Sequence, residues 1–206
     1  MTSHPHFTHC GLPGIDLIPF GMHACHFFAD ADQLVATLAP YFAAGLSSAE
    51  RCLWVTAPPL SASQAVHALR AACDGVDEAI QRGALRIVDV DQWGASPASP
   101  SRPDLAQLWL QEEERALADG YNGLRIAGSM GFLGQDGAPA SMGCEQALTA
   151  RFNGRRIVAL CSYALAQCDA QQIRDVMQAH HCAFERPGDG WQVVPFREVH
   201  AGAGRS

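Results

Sequence analysis

The stretch "FGMHACHFFADADQL", Phe20 to Leu34, joins a short apolar run to an acidic helix start. "MHACHFF" has the length of a strand, and its apolar residues run almost without a break, as in a strand covered on both faces. The following segment, "DADQLVATLAPYFAAGL", places Leu34, Leu38, Tyr41 and Phe42 at the spacing of one helix face. Asp30 or Asp32 can cap its start, Gly45 can end it, and Pro40 is expected to bend it.

The same alternation continues outward. "RCLWVTA" reads as a strand. "SASQAVHALRAAC" opens a helix, with Ser61 and Gln64 at capping-box spacing. "ALRIVDV" is the next strand, and the Ser-, Pro- and Ala-rich residues 91–103 form a loop. "PDLAQLWLQEEERALADG" is a helix with Pro103 in its first turn and Gly120 just past its end. "NGLRIAGSM" and "RRIVALCSY" are strands. Between them lie the glycine-rich "GFLGQDGAPASMG" and a short helical piece from Glu145 to Phe152. "DAQQIRDVMQAHH" is a helix with Ile173, Val176 and Met177 inward. "WQVVPF" is a last strand, placed at an edge by Pro195.

Strands alternating with helices imply a three-layer α/β fold: a mostly parallel sheet with helices on both faces. One domain is expected over residues 20–198, with a loose N-terminal arm at 1–19 and a disordered tail at 199–206. Ligands in such sheets bind beyond the carboxyl ends of the strands. The segments after "HACHFF", "LWVTA", "LRIAGSM" and "ALCSY" therefore border the expected site.

Composition narrows the chemistry. The 206 residues are 48% hydrophobic and 17% charged, ordinary for a globular chain, with a net charge of −7. There is no basic run, which argues against direct contact with nucleic acid. All 14 cationic side chains are arginine, so Schiff-base and P-loop lysine chemistry are excluded. No apolar run reaches the ~18 residues of a membrane span, and no signal peptide is visible. The expected location is the cytoplasm. None of the eight cysteines forms CxxC, and most lie in apolar segments. In a reducing compartment they read as free, buried thiols.

Taken together, "HACHFF", "GLSSAERCLWV", "GALRIVD", "GYNGLRIAGSM", Glu145, "IVALCSY" and "AHH" resemble the MEDS domain, the methanogen/methylotroph sensory domain, from about Gly21 to His181. The most specific pieces are the His-x-Cys-x-Phe run, His23 to Phe27, and the Leu-Cys-x-Tyr run, Leu160 to Tyr163. The resemblance implies a RecA/KaiC-like fold that has lost its nucleotide site and senses small organic compounds, hydrocarbon derivatives in particular. It implies a stand-alone sensory domain signalling to a partner protein, a histidine kinase or a transcription regulator, or to the second copy of a homodimer. Ala164 stands where the family often has Asp, and His181 where proline is common.

The residues support the loss of nucleotide chemistry by themselves. A P-loop needs glycines to wrap a phosphate and a lysine to reach it. "FFADADQL" offers neither, and its two aspartates would repel a triphosphate. "GLRIAGSM" lacks the acid that a Mg²⁺-binding strand would carry.

Three readings of His23 and Cys25 stay open. Alternation along a strand puts both on one face and His26 on the other. As metal ligands for Zn, or as ligands of heme, they would need completion from Cys161, Glu145 or His180, or from the His9–Cys10 arm. As a nucleophile, Cys25 would need His23 to hold its thiolate and a loop to form an oxyanion hole. As a small-molecule pocket, which requires no cofactor, the polar points would be His23, Cys25, Glu145 and Tyr163. The walls of that pocket would be Phe27, Phe28, Trp54, Met130 and Phe132, with Cys161 and His180 nearby. A core histidine bonded to backbone is the plainest account of His23 alone. Glu145 also suits the first turn of a helix, where the dipole favours an acid. Arg125, mid-strand in "GLRIAG", needs a buried carboxylate partner, Glu145, Asp89 or Asp91.

Overall fold

The structure is a computed structural model that describes residues 6–92, 105–129 and 138–199. A seven-stranded sheet forms its centre. Its strands are β3 (His23–Phe28), β4 (Arg51–Thr56), β5 (Leu85–Asp89), β6 (Leu124–Ser129), β7 (Ile157–Ala164), β8 (Cys182–Glu185) and β9 (Gln192–Pro195). The spatial order is β5-β4-β6-β7-β3-β8-β9, and every pairing is parallel except β8 with β9. β9 is thus the edge strand that Pro195 requires. β8, "CAFE", is a strand that the sequence pattern does not reveal. Its four residues directly follow a helix and carry too little pattern to separate from it.

The helices divide between the two faces. α1 (Ala31–Ser47), α2 (Ala62–Ala72) and α3 (Val76–Gln81) cover one face. The core there includes Phe28, Leu38, Phe42 and Trp54. α4 (Leu105–Ala118), α5 (Ala138–Phe152) and α6 (Ala170–Ala179) cover the other. That second core holds Cys25, Leu148, Phe152, Cys161 and Tyr163. β3 and β7 are buried along almost their whole length, which is why they read as unbroken apolar runs.

Local signals explain the helix limits. Asp30, not Asp32, caps α1 by accepting from the Gln33 N–H. Ser61 and Gln64 form the expected capping box on α2, and Asp169 with Gln172 forms another on α6. α1 runs through Pro40 and past Gly45 to Ser47. Gly45 therefore does not end the helix. A Cβ there would lie 2.5 Å from the Arg125 Nε, so the glycine makes room for a guanidinium. α5 begins at Ala138, so Glu145 lies in the middle of a 15-residue helix and not in its first turn. The helix dipole therefore does not account for that acid.

Arg125 is fully buried on the α1 face, and its partner is Glu50, not Glu145, Asp89 or Asp91. Its Nε donates to Glu50 Oε2 at 2.6 Å, and its Nη atoms reach Cys10 O, Tyr41 O and His9 O. These bonds explain a second difference from the sequence reading. The N-terminal arm is not loose from His6 onward. β1 (Phe7–His9) and β2 (Leu17–Pro19) pair antiparallel, and Cys10, Leu12, Ile15 and Ile18 are buried. Residues 1–5 and 200–206 lie outside the described residues, as does most of the loop expected at 91–103.

Candidate functional site

Four polar side chains meet between the sheet and the α5–α6 layer. His23 opens β3, Cys161 sits in β7, Glu145 projects from α5, and His180 caps the C-terminal end of α6. All four are completely buried. One ligand-type atom from each lies within 4.8 Å of all the others. His23 Nε2 is 3.2 Å from Cys161 Sγ and 3.2 Å from Glu145 Oε2. Cys161 Sγ donates to Glu145 Oε2 at 3.6 Å, and His180 Nε2 is 3.5 Å from the same oxygen.

The outer contacts hold the rings in place. Thr149 Oγ1 lies 2.8 Å from His23 Nδ1 and donates to the Ala179 carbonyl. His180 Nδ1 is 2.7 Å from Val176 O, one turn back on α6. The His23 N–H donates to His181 Nδ1 at 3.1 Å. The two ring centroids of His23 and His180 are 4.2 Å apart, and Phe152 meets His23 edge-on at 5.6 Å.

Burial, with His180 beside it, pushes His23 down to about 4. Burial acts to raise Glu145, and hydrogen bonds donated by protonated His180 and His23 would act to lower it. A neutral His23 imidazole and a carboxyl group thus share a fully buried space near pH 7. Burial pushes the Cys161 and Cys25 thiols well above the ordinary value, and a neighbouring charge adds to each. Buried thiols of this kind are poor nucleophiles.

A family model now gives the chain its relatives. The model described as MEDS, "MEthanogen/methylotroph, DcmR Sensory domain", matches residues 22–181. The chain belongs to the MEDS family. Among curated proteins, none matches it in sequence. Among solved structures, it is similar to a KaiC-like protein of Pyrococcus horikoshii, with a TM-score of 0.59 at 13% identity, covering 94% of this chain and 90% of the other. It is also similar to the flagellar accessory protein FlaH of Methanocaldococcus jannaschii, with a TM-score of 0.57 at 9% identity, covering 91% and 84%. These likenesses establish a RecA/KaiC-like fold.

Within this MEDS domain, the residues singled out from sequence fall into groups. His23, Glu145, Cys161 and His180 come together. Cys25 shares their face but donates to Cys182 O at 3.6 Å, and Cys161, its register partner, supplies the sulfur of the group. Tyr163 is buried, sits edge-on to His180 at 5.8 Å, and its hydroxyl has no hydrogen-bond partner among the described residues. Phe27 contacts Tyr163 at 5.7 Å. Phe28 and Trp54 belong to the opposite core, where Trp54 stacks on Phe42 at 4.8 Å. Met130 and Phe132 lie outside the described residues. Thr149 and His181 join the site without having been candidates in the sequence. A signal for Thr149 does exist there: it follows Glu145 by one helical turn and shares its face.

The cluster lies within the sheet, toward the start of β3, and not beyond the strand ends. At the carboxyl ends of β3 and β8 there is instead a groove of about 530 Å³. Phe27, Phe184 and Trp191 give it aromatic walls, and Asp32, Gln33 and Arg186 give it polar points. Among the described residues, no helix is long and apolar enough to cross a membrane.

Proposed function

We propose that this MEDS domain senses a small, largely apolar organic compound, a hydrocarbon derivative, and passes the signal to a partner protein or to a second copy of itself. The groove at the ends of β3 and β8 carries this reading. It is concave, with three aromatic side chains, Phe27, Phe184 and Trp191, set among polar and charged ones, Asp32, Gln33, Thr37, Glu185 and Arg186. It lies where ligands of parallel sheets bind, in a chain whose family is sensory. A ligand wedged against Phe27 would press on Tyr163, whose ring edge meets His180. Such a ligand acts only through unequal affinity for two conformations, and a tenfold preference corresponds to about 1.4 kcal/mol.

The reading is non-enzymatic, and several features favour it over ATP hydrolysis. The chain has no lysine. The N-terminus of α1, where phosphate would bind, is closed by its own side chains. Asp30 accepts from Gln33 N–H, and Gln33 accepts from Ala29 N–H. Aspartate at that place repels a triphosphate.

A panel of short-chain hydrocarbon derivatives, screened by thermal shift, tests the proposal. At one hundred times its Kd a true ligand stabilises the fold by about 2.7 kcal/mol. The shift should vanish in Phe27→Ala and Trp191→Ala. A panel with no saturable shift, or a shift that both variants keep, would overturn it.

A further inference from the structure

We propose that His23, Glu145, Cys161 and His180 together bind one zinc ion in the interior of the domain. The proposal starts from counting protons. The Val176 carbonyl can only accept, so His180 carries a ring proton on Nδ1, and in the neutral ring its Nε2 is a bare lone pair. The Thr149 hydroxyl spends its single proton on Ala179 O, so it accepts from His23 Nδ1. His23 Nε2 is then bare as well. These two nitrogens, a carboxylate oxygen and a thiol converge within 4.8 Å, and only the thiol has a proton to give. Among the described residues Glu145 Oε1 has no hydrogen-bond partner, and His180 Nε2 has only the 3.5 Å contact with Glu145 Oε2. Three acceptors and a single thiol proton facing one another in a fully buried space are costly. A cation at their centre removes the conflict.

The geometry suits zinc. Ligand bonds of the usual length at tetrahedral angles put nitrogen and oxygen about 3.4 Å apart, and either one about 3.6 Å from sulfur. The corresponding separations here are 3.2 and 3.5 Å for N···O, 3.2 Å for N···S and 3.6 Å for O···S. Both histidines already donate their distal N–H to an oxygen, which orients ligating imidazoles. Imidazole, thiolate and carboxylate together match zinc's borderline softness. Charge also balances. On binding, the Cys161 S–H bond breaks, its proton leaves to solvent, and the sulfur electron pair goes to the metal. One thiolate and one carboxylate then neutralise Zn²⁺, so the complete centre has no net charge to desolvate. Cys25 takes no part. The assignment does not rest on the sensory reading.

The test uses the full chain without an affinity tag, stripped of metal by chelator and titrated with Co²⁺ as a coloured stand-in. One equivalent should produce a sulfur-to-cobalt charge-transfer band and tetrahedral visible bands, and Zn²⁺ should displace both. Surface histidines cannot produce the sulfur band. Cys161→Ser should abolish it, and Cys25→Ser should leave it intact. Thr149→Val should weaken affinity 10- to 100-fold, as loss of an orienting partner does. Should Cys161→Ser fail to fold, Glu145→Gln serves in its place and should shift the visible bands, while Cys144→Ser, at the exposed thiol, should keep the sulfur band. A folded wild-type chain without the band, a band kept in folded Cys161→Ser, or a band lost in Cys25→Ser or Cys144→Ser, overturns the assignment. Neither result touches the groove, which the organic panel probes separately.

Discussion

Two buried ionic clusters lie on opposite faces of one sheet, and they are built to different standards. On the α1 face, Glu50 and Arg125 are satisfied. Burial works against the arginine's charge, and Glu50 overrides it, raising the guanidinium above its ordinary value. The guanidinium also lies over the Tyr41 ring at 4.4 Å. Its donors pin the backbone at Cys10, Tyr41 and His9, so this pair serves architecture. On the α5–α6 face, Glu145 meets the Nε2 atoms of His23 and His180, and among the described residues its Oε1 has no hydrogen-bond partner. Polar interiors that carry structure close their hydrogen bonds. Those left open mark function.

The contrast can be broken most forcefully at Arg125. Arg125→Ala would strand Glu50 in the core and should cost about 3–5 kcal/mol, read from the urea midpoint. A loss under about 1 kcal/mol would mean that the α1-face cluster is not architectural. A third buried group, His26, serves as a control, because burial alone pushes it down to about 4. The folded chain refuses a proton that the unfolded chain accepts near pH 6.5. Stability is therefore full above pH 6.5 and is lost as pH falls from 6.5 toward 4, by about 3 kcal/mol. In metal-free protein His26→Phe should flatten that slope, as measured by urea unfolding between pH 7.5 and 4.5. An unchanged slope would assign the acid response to His23 alone. The smallest effect is expected at Glu145. In metal-free protein Glu145→Gln offers two N–H donors to the bare imidazole nitrogens and removes a buried charge. Stability should hold or rise by about 1 kcal/mol. A fall as large as that of Arg125→Ala would erase the difference between the two faces.

Much of the fold is legible because its signals are local. Unbroken apolar runs mark β3, β4 and β7, and the capping residues Asp30 and Ser61 fix two helix starts. β8 is not legible, since four residues after a helix have no period of their own. The arm reads as loose because its anchors, Arg125 and Glu50, lie more than forty residues away in the chain. At the site, His23, Glu145, Cys161 and His180 are each recognisable as candidates. Their convergence depends on register: Cys161, not Cys25, faces His23 and Glu145 because β7 brings it there. The separation of Phe28 and Trp54 from that group follows from strand alternation, which assigns both to the opposite core.

His180 closes α6 and leads directly into β8, whose far end, Phe184 to Arg186, walls the groove. Seven consecutive residues therefore span the distance from sealed interior to open cleft. The backbone between them pairs in parallel with β3 at Cys182 and Ala183. A single short segment thus gives His180 to the buried cluster and Phe184, Glu185 and Arg186 to the groove.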